Sequence, residues 1–172
     1  IAGNAMLCDG DSTTLTASGG TAYVWSTTAN TAAITVGPSA NTTYSVLVTD
    51  ANNCSAEDSI LVMVNALPVV GFAGDLAVCD GEDATITASG GQSYDWNTGD
   101  QSATITVTPV AGAFYVVSIV DANGCEATDS TNIVINALPA VVVTGADTIC
   151  EGEVAQLTAS GATNYVWSTT DT

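Results

Sequence analysis

The chain has 172 residues and carries 18 Asp plus Glu against no Lys, Arg or His, for a formal net charge of −18. Without a cationic side chain it can form no side-chain salt bridge and cannot displace counterions from nucleic-acid phosphates. Anionic membrane surfaces repel it, and it lacks both the histidine that general acid–base catalysis usually draws on and any cationic clamp for an anionic substrate. Apolar residues make up 47% of the chain, with Val, Ile, Thr and Tyr concentrated in alternating stretches, which is the composition of strands rather than of disorder.

The first segment ends in a short strand around Ala5 to Leu7, followed by Cys8-Asp9-Gly10-Asp11, a turn. Residues 13–18 alternate, with Thr13, Leu15 and Ala17 on one face and Thr or Ser on the other, the period-two pattern of a half-buried strand. Gly19-Gly20 makes a turn into Tyr23-Val24-Trp25, where Trp25 is the expected core anchor. Ile34 and Val36 mark a further strand, and Tyr44, Val46 and Val48 another. Asp50-Ala51-Asn52-Asn53 is a hairpin turn, with Asn where positive φ is needed, and Cys54 follows it directly. A last strand carries Val62 and Val64, and Asn65-Ala66-Leu67-Pro68 closes the segment.

The same text then begins again. Cys8, Cys79 and Cys150 are 71 residues apart, as are Trp25, Trp96 and Trp167; Cys54 and Cys125 keep that step, and so do Leu67-Pro68 and Leu138-Pro139. A period this long marks an array of small domains, since smaller repeats run about 20–50 residues. The expected organisation is repeat 1 over 1–68, repeat 2 over 69–139 and the N-terminal part of a third over 140–172. Each has six or seven short strands and no helix, an immunoglobulin-like β-sandwich. The short apolar linkers suggest abutting domains in a semi-stiff rod, each adding roughly 30–40 Å.

A unit of this size has a marginal core and gains from a covalent staple. Its two cysteines lie 46 residues apart in both complete copies, which predicts the disulfides Cys8–Cys54 and Cys79–Cys125. The mate of Cys150 is then expected at about position 196, outside the chain. With no His and no CxxC pair, a metal–thiolate site fits poorly. Disulfides imply an oxidising, extracellular setting.

Acids cluster around a Gly after the first cysteine of each copy: Asp9 and Asp11; Asp80, Glu82 and Asp83; Glu151 and Glu153. Hard cations seek such oxygen clusters, making calcium the candidate ligand, although the spacing is not an EF-hand loop and solvated turn acids would look the same. A paired-carboxylate hydrolase is the sole catalytic option left by the composition. Acids that recur in turns fit that poorly, so no enzyme is expected.

The stretch Tyr94-Asp95-Trp96-Asn97-Thr98-Gly99-Asp100 and the later run from Phe114 through Asp121-Ala122-Asn123-Gly124-Cys125 resemble the PKD-like and Ig-like tandem repeats of giant secreted Bacteroidetes surface adhesins, SprB-like gliding or adhesion filaments among them. Copies one and three depart from the motif, with Ser26-Thr27-Thr28 and Ser168-Thr169-Thr170 in place of the Asn-Thr-Gly-Asp turn. The resemblance implies tandem β-sandwiches, export by type IX secretion, a cell-surface location and a role in adhesion or gliding motility. Asp-Ser/Thr pairs are similar to the O-glycosylation motif of such secreted proteins, which makes Ser12, Ser59, Ser130 and Thr148 the acceptor candidates.

The expected function is thus a structural stalk segment of a large extracellular adhesin, giving length, stiffness and protease resistance. Its expected partners are neighbouring repeats of the same chain and cations, with no nucleic acid and no membrane insertion. The alternatives are a carbohydrate- or protein-binding module and a subunit that self-associates laterally into extracellular fibres.

Overall fold

The structure, a computed structural model, describes residues 1–168. Thr169 and Thr170 of the third-copy turn lie outside the described residues. Those residues form sixteen strands and no helix, so the chain is all-β.

Repeat 1 contains β1 (Met6–Cys8), β2 (Thr13–Thr16), β3 (Ala22–Trp25), β4 (Ala33–Val36), β5 (Thr42–Thr49) and β6 (Ser55–Asn65). One sheet has the order β1-β6-β5-β3; the other pairs β2 with β4, extended by a bridge from Ala2 to Thr16. All pairings are antiparallel except one: β1 runs parallel to β6, with Met6 opposite Met63 and Cys8 opposite Asn65. The inward residues of both sheets meet in a core of Leu7, Leu15, Ala17, Trp25, Ile34, Val36, Tyr44, Val46 and Val62. These are the positions that alternation selects. The indole N–H of Trp25 donates to the Thr31 carbonyl at 2.9 Å, so the largest buried side chain also has its polar atom satisfied.

Repeat 2 reproduces this plan. Its strands are β7 (Gly71–Gly74), β8 (Ala77–Cys79), β9 (Ala84–Ser89), β10 (Ser93–Trp96), β11 (Thr104–Val107), β12 (Phe114–Val120), β13 (Glu126–Asn132) and β14 (Val134–Asn136). The sheets are β11-β9-β7 and β10-β12-β13, with β8 again parallel to the end of the last strand through β14. Its core joins Ala84, Ile86, Ala88, Trp96, Ile105, Tyr115, Val117, Ile119 and Ile133, and Trp96 repeats the indole bond, to the Ser102 carbonyl at 2.9 Å. The two cores share no residue, and Pro68 falls between them. In the third copy β15 (Val142–Gly145) pairs with β16 (Leu157–Ser160), and Trp167 is 45% exposed.

Candidate functional site: the junction between repeats

The parallel pairing of first and last strands decides where the cysteines lie. Cys8 sits opposite Asn65, at the end of repeat 1 from which the chain leaves, whereas Cys54 immediately precedes Ser55 at the other end of β6. The eleven residues of β6 separate the two poles by roughly 35 Å at a rise of about 3.3 Å per residue. A disulfide needs Cα atoms within about 7 Å, so Cys8 and Cys54 cannot bond. By the same register Cys79, opposite Asn136, is at the far pole of repeat 2 from Cys125. The expected pairs Cys8–Cys54 and Cys79–Cys125 are therefore wrong.

The bond formed is Cys8–Cys125, with Cα atoms 5.5 Å apart and 117 residues between them in sequence. It ties the distal pole of repeat 1, where the linker leaves, to the proximal pole of repeat 2, where it arrives. Cys54, Cys79 and Cys150 are exposed free thiols.

Local structure places both partners. After β1 the chain turns at Gly10, whose φ is 90°. The Asp9 amide donates to the Asn65 carbonyl at 2.8 Å and the Asp11 amide to the Cys8 carbonyl at 3.0 Å, holding Cys8 at the rim. On the other side, Cys125 closes the β12–β13 hairpin. One carboxylate oxygen of Asp121 accepts from the Asn123 amide at 2.8 Å and from the Cys125 amide at 2.9 Å, while Gly124 takes the positive φ, 81°. Repeat 1 uses Asp50 in the same way, toward Asn52 and Cys54, with Asn53 at φ 62°. These amide bonds to the ionised form, foremost from Cys54 and Cys125, hold both carboxyls below the ordinary aspartate range.

A close backbone approach completes the junction. The linker carbonyl of Val69 lies where a Cβ on Gly90 would stand, 2.1 Å from it, and Gly90 has φ 103°. Ala140 and Gly161 repeat the approach at the next junction. Gly90 and Gly161 are thus required by the incoming linker, a role that reading Gly-Gly as a turn does not reveal.

Around Cys54 the same proximal pole is an open groove of about 360 Å³, lined by Ser18, Gly19, Val48, Asp50, Cys54 and Ser55, among others. Its counterpart on repeat 2 is sealed: Cys125 and Ile119 have no exposure.

The acids proposed for calcium shape turns instead of converging. A carboxylate oxygen of Glu82 accepts from the Cys79 amide, and one of Glu153 from the Cys150 amide, each at 3.3 Å; Asp83 accepts from the Thr108 hydroxyl. Asp9, Asp11, Asp80 and Glu151 are exposed in the same turns. Among the described residues no three acids or thiols come together as a metal site. Of the glycan-acceptor candidates, Ser59 and Ser130 occupy equivalent exposed positions on β6 and β13, each with its amide bonded to the preceding aspartate. Ser12 and Thr148 are exposed outside strands.

No protein family and no curated protein matches the chain. Among solved structures it is similar to murine CEACAM1b, at 11% identity with a TM-score of 0.32, covering 77% of this chain and 96% of that one. It is also similar to the SGBP-B protein of a mixed-linkage glucan utilization locus in Bacteroides ovatus, solved with a mixed-linkage heptasaccharide. That match has 14% identity and a TM-score of 0.24, covering 83% of this chain and 45% of that one. Both scores fall below the level of a shared fold.

Proposed function

We propose that this chain is a structural stalk segment of an extracellular, cell-surface protein, in which β-sandwich repeats are set end to end to give length, stiffness and resistance to proteolysis. The observation that carries this reading is the Cys8–Cys125 bond. A cross-link inside a repeat would stabilise that repeat alone, whereas this one fixes one repeat upon the next. The short linker, the Gly90 contact and the bond leave the junction little freedom to bend. Separate cores on either side of Pro68 support the tandem organisation. Disulfides persist in oxidising compartments, which fits secretion, and the absence of Lys and Arg removes every trypsin site.

A binding role gets little from the surface. In the two complete repeats Phe114 is the one aromatic among the exposed large hydrophobics, which leaves little ring surface on which a sugar could stack. The adhesin resemblance supplies the wider setting: a surface filament in which the segment spaces a distal tip from the cell, exported by type IX secretion. Small-angle scattering tests the reading. A rod profile that lengthens by roughly 35 Å per added repeat is expected; a compact globule whose maximum dimension does not grow with repeat number overturns it.

A further inference from the structure

The bond joins the first cysteine of one repeat to the second cysteine of the next, and the sequence is periodic without slippage through both positions. Applying the 71-residue step to that connectivity assigns a partner to every remaining thiol. Cys79 pairs with the second cysteine of a following copy, Cys150 does the same one copy later, and Cys54 receives the first cysteine of a preceding copy. We propose that the cysteines of this protein form an inter-repeat ladder, one disulfide at each junction, and that the groove around Cys54 is the socket for the distal pole of another copy of the repeat. The inference rests on the tandem reading above.

Three observations beyond the connectivity bear on it. The free thiols are all exposed, and Cys54 and Cys79 stand at the proximal and distal poles, where a ladder needs them. By the 71-residue step the lining of the Cys54 groove answers to the bonded pole of repeat 2: Ser18, Gly19, Val48, Asp50 and Cys54 to Ser89, Gly90, Ile119, Asp121 and Cys125. Val48 is half-buried in that groove, whereas Ile119 is sealed within the core of repeat 2. Finally, the distal turn that frames Cys8 recurs at Cys79. The Asp80 amide donates to the Asn136 carbonyl at 2.9 Å and the Glu82 amide to the Cys79 carbonyl at 3.1 Å. The turns that frame the two cysteines of the observed junction therefore recur at the poles of Cys54 and Cys79.

Each rung forms by exchange. One thiol loses its proton and attacks a small-molecule or oxidoreductase disulfide, releasing one thiol of that oxidant. The second cysteine, also as thiolate, then displaces the other, so that two protons and two electrons leave the repeat pair and the oxidant is reduced to two thiols.

The test fuses the full 172-residue chain in frame behind residues 1–142, two whole periods, which places the trailing Cys54 one repeat after the leading Cys79. The fusion is equilibrated with reduced and oxidised glutathione, alkylated and weighed intact, then cut at Asp and Glu for mapping. The unfused chain should show one disulfide and three alkylated thiols. The fusion, with nine cysteines, should show three disulfides and still only three alkylated thiols, together with a peptide joining the leading Cys79 to the trailing Cys54. Five alkylated thiols, with Cys79 and the trailing Cys54 both modified, would overturn the ladder; one alkylated thiol would mean pairing within repeats and overturn it too. A Cys79–Cys54 bond found only between separate fusion molecules, as a covalent dimer in which the leading Cys79 is not joined to the trailing Cys54 of its own chain, would overturn the assignment to consecutive copies. Scattering on the same fusion separates the two ideas: a rod with five alkylated thiols defeats the ladder alone, while a globule defeats the stalk reading.

Discussion

Repeats 1 and 2 share most of their interior positions and differ in the residues they show to water. Leu15 and Ile86, Trp25 and Trp96, Tyr44 and Tyr115, and Val46 and Val117 are interior in both. On the outer face of the larger sheet, Val24, Leu47 and Leu61 of repeat 1 are exposed, and the same positions of repeat 2 hold Asp95, Ser118 and Asn132. The proximal poles differ in another way, being alike in sequence but unlike in state, since Cys54 is exposed and Cys125 is bonded and buried. The interior is thus fixed by packing and the outer face is free to drift, while the poles differ in whether their cysteine is bonded.

Breaking the poles should give the largest effect. Cys125→Ser opens a ring spanning 117 residues, worth roughly 4–5 kcal/mol in the chain-entropy model, and should lower the denaturant midpoint accordingly. Cys54→Ser at the equivalent position should change it by less than about 0.5 kcal/mol; equal effects would show that the poles do not differ. Next come the anchors. Trp25→Ala and Trp96→Ala should each cost about 3–5 kcal/mol, with hydrogen-exchange protection lost only in the mutated repeat because the cores share no residue. Gly90→Ala should cost more than Gly19→Ala. Both carry φ near 100°, which costs about 1–3 kcal/mol for a non-glycine residue, but only Gly90 would also collide with a carbonyl; thermal midpoints of the two variants check the order.

The hairpin aspartates sharpen the pH behaviour. The folded forms of Asp50 and Asp121 titrate below the ordinary value of 3.8, so their contribution is complete above that pH and is lost as pH falls through the lowered folded values. Replacing both by Asn should flatten the acid limb of the stability curve below pH 3.8 and leave neutral pH behaviour similar in slope. The smallest effect is expected on the drifting face, where Leu61→Thr should shift stability by no more than about 0.5 kcal/mol.

The strands and cores were legible in the sequence because alternation reports burial directly: Leu15, Ile34, Val46 and Val62 are where period two puts them. The hairpin turn was legible through Asp50 and Asn53, whose chemistry is local. The cross-link was not. A spacing of 46 within a copy and one of 117 across two copies are equally periodic, and only the parallel partnership of β1 with β6 separates them, a long-range pairing that leaves no local mark. Gly90 was missed for a related reason, because its constraint comes from Val69, which belongs to the linker. The short linker was the available clue: it brings the end of β6, and hence Cys8, next to the following repeat.

The lone parallel pairing also determines how the molecule answers a pull on its two ends. The shortest covalent route runs up residues 1–8, across the disulfide, and along 125–136 to the second linker. That is about twenty residues, or roughly 65 Å when fully extended. Tension therefore bypasses the loop from Asp9 to Gly124, and that loop cannot be paid out by unravelling repeats 1 and 2 while the bond is intact. Reduction turns the same molecule into an extensible spring.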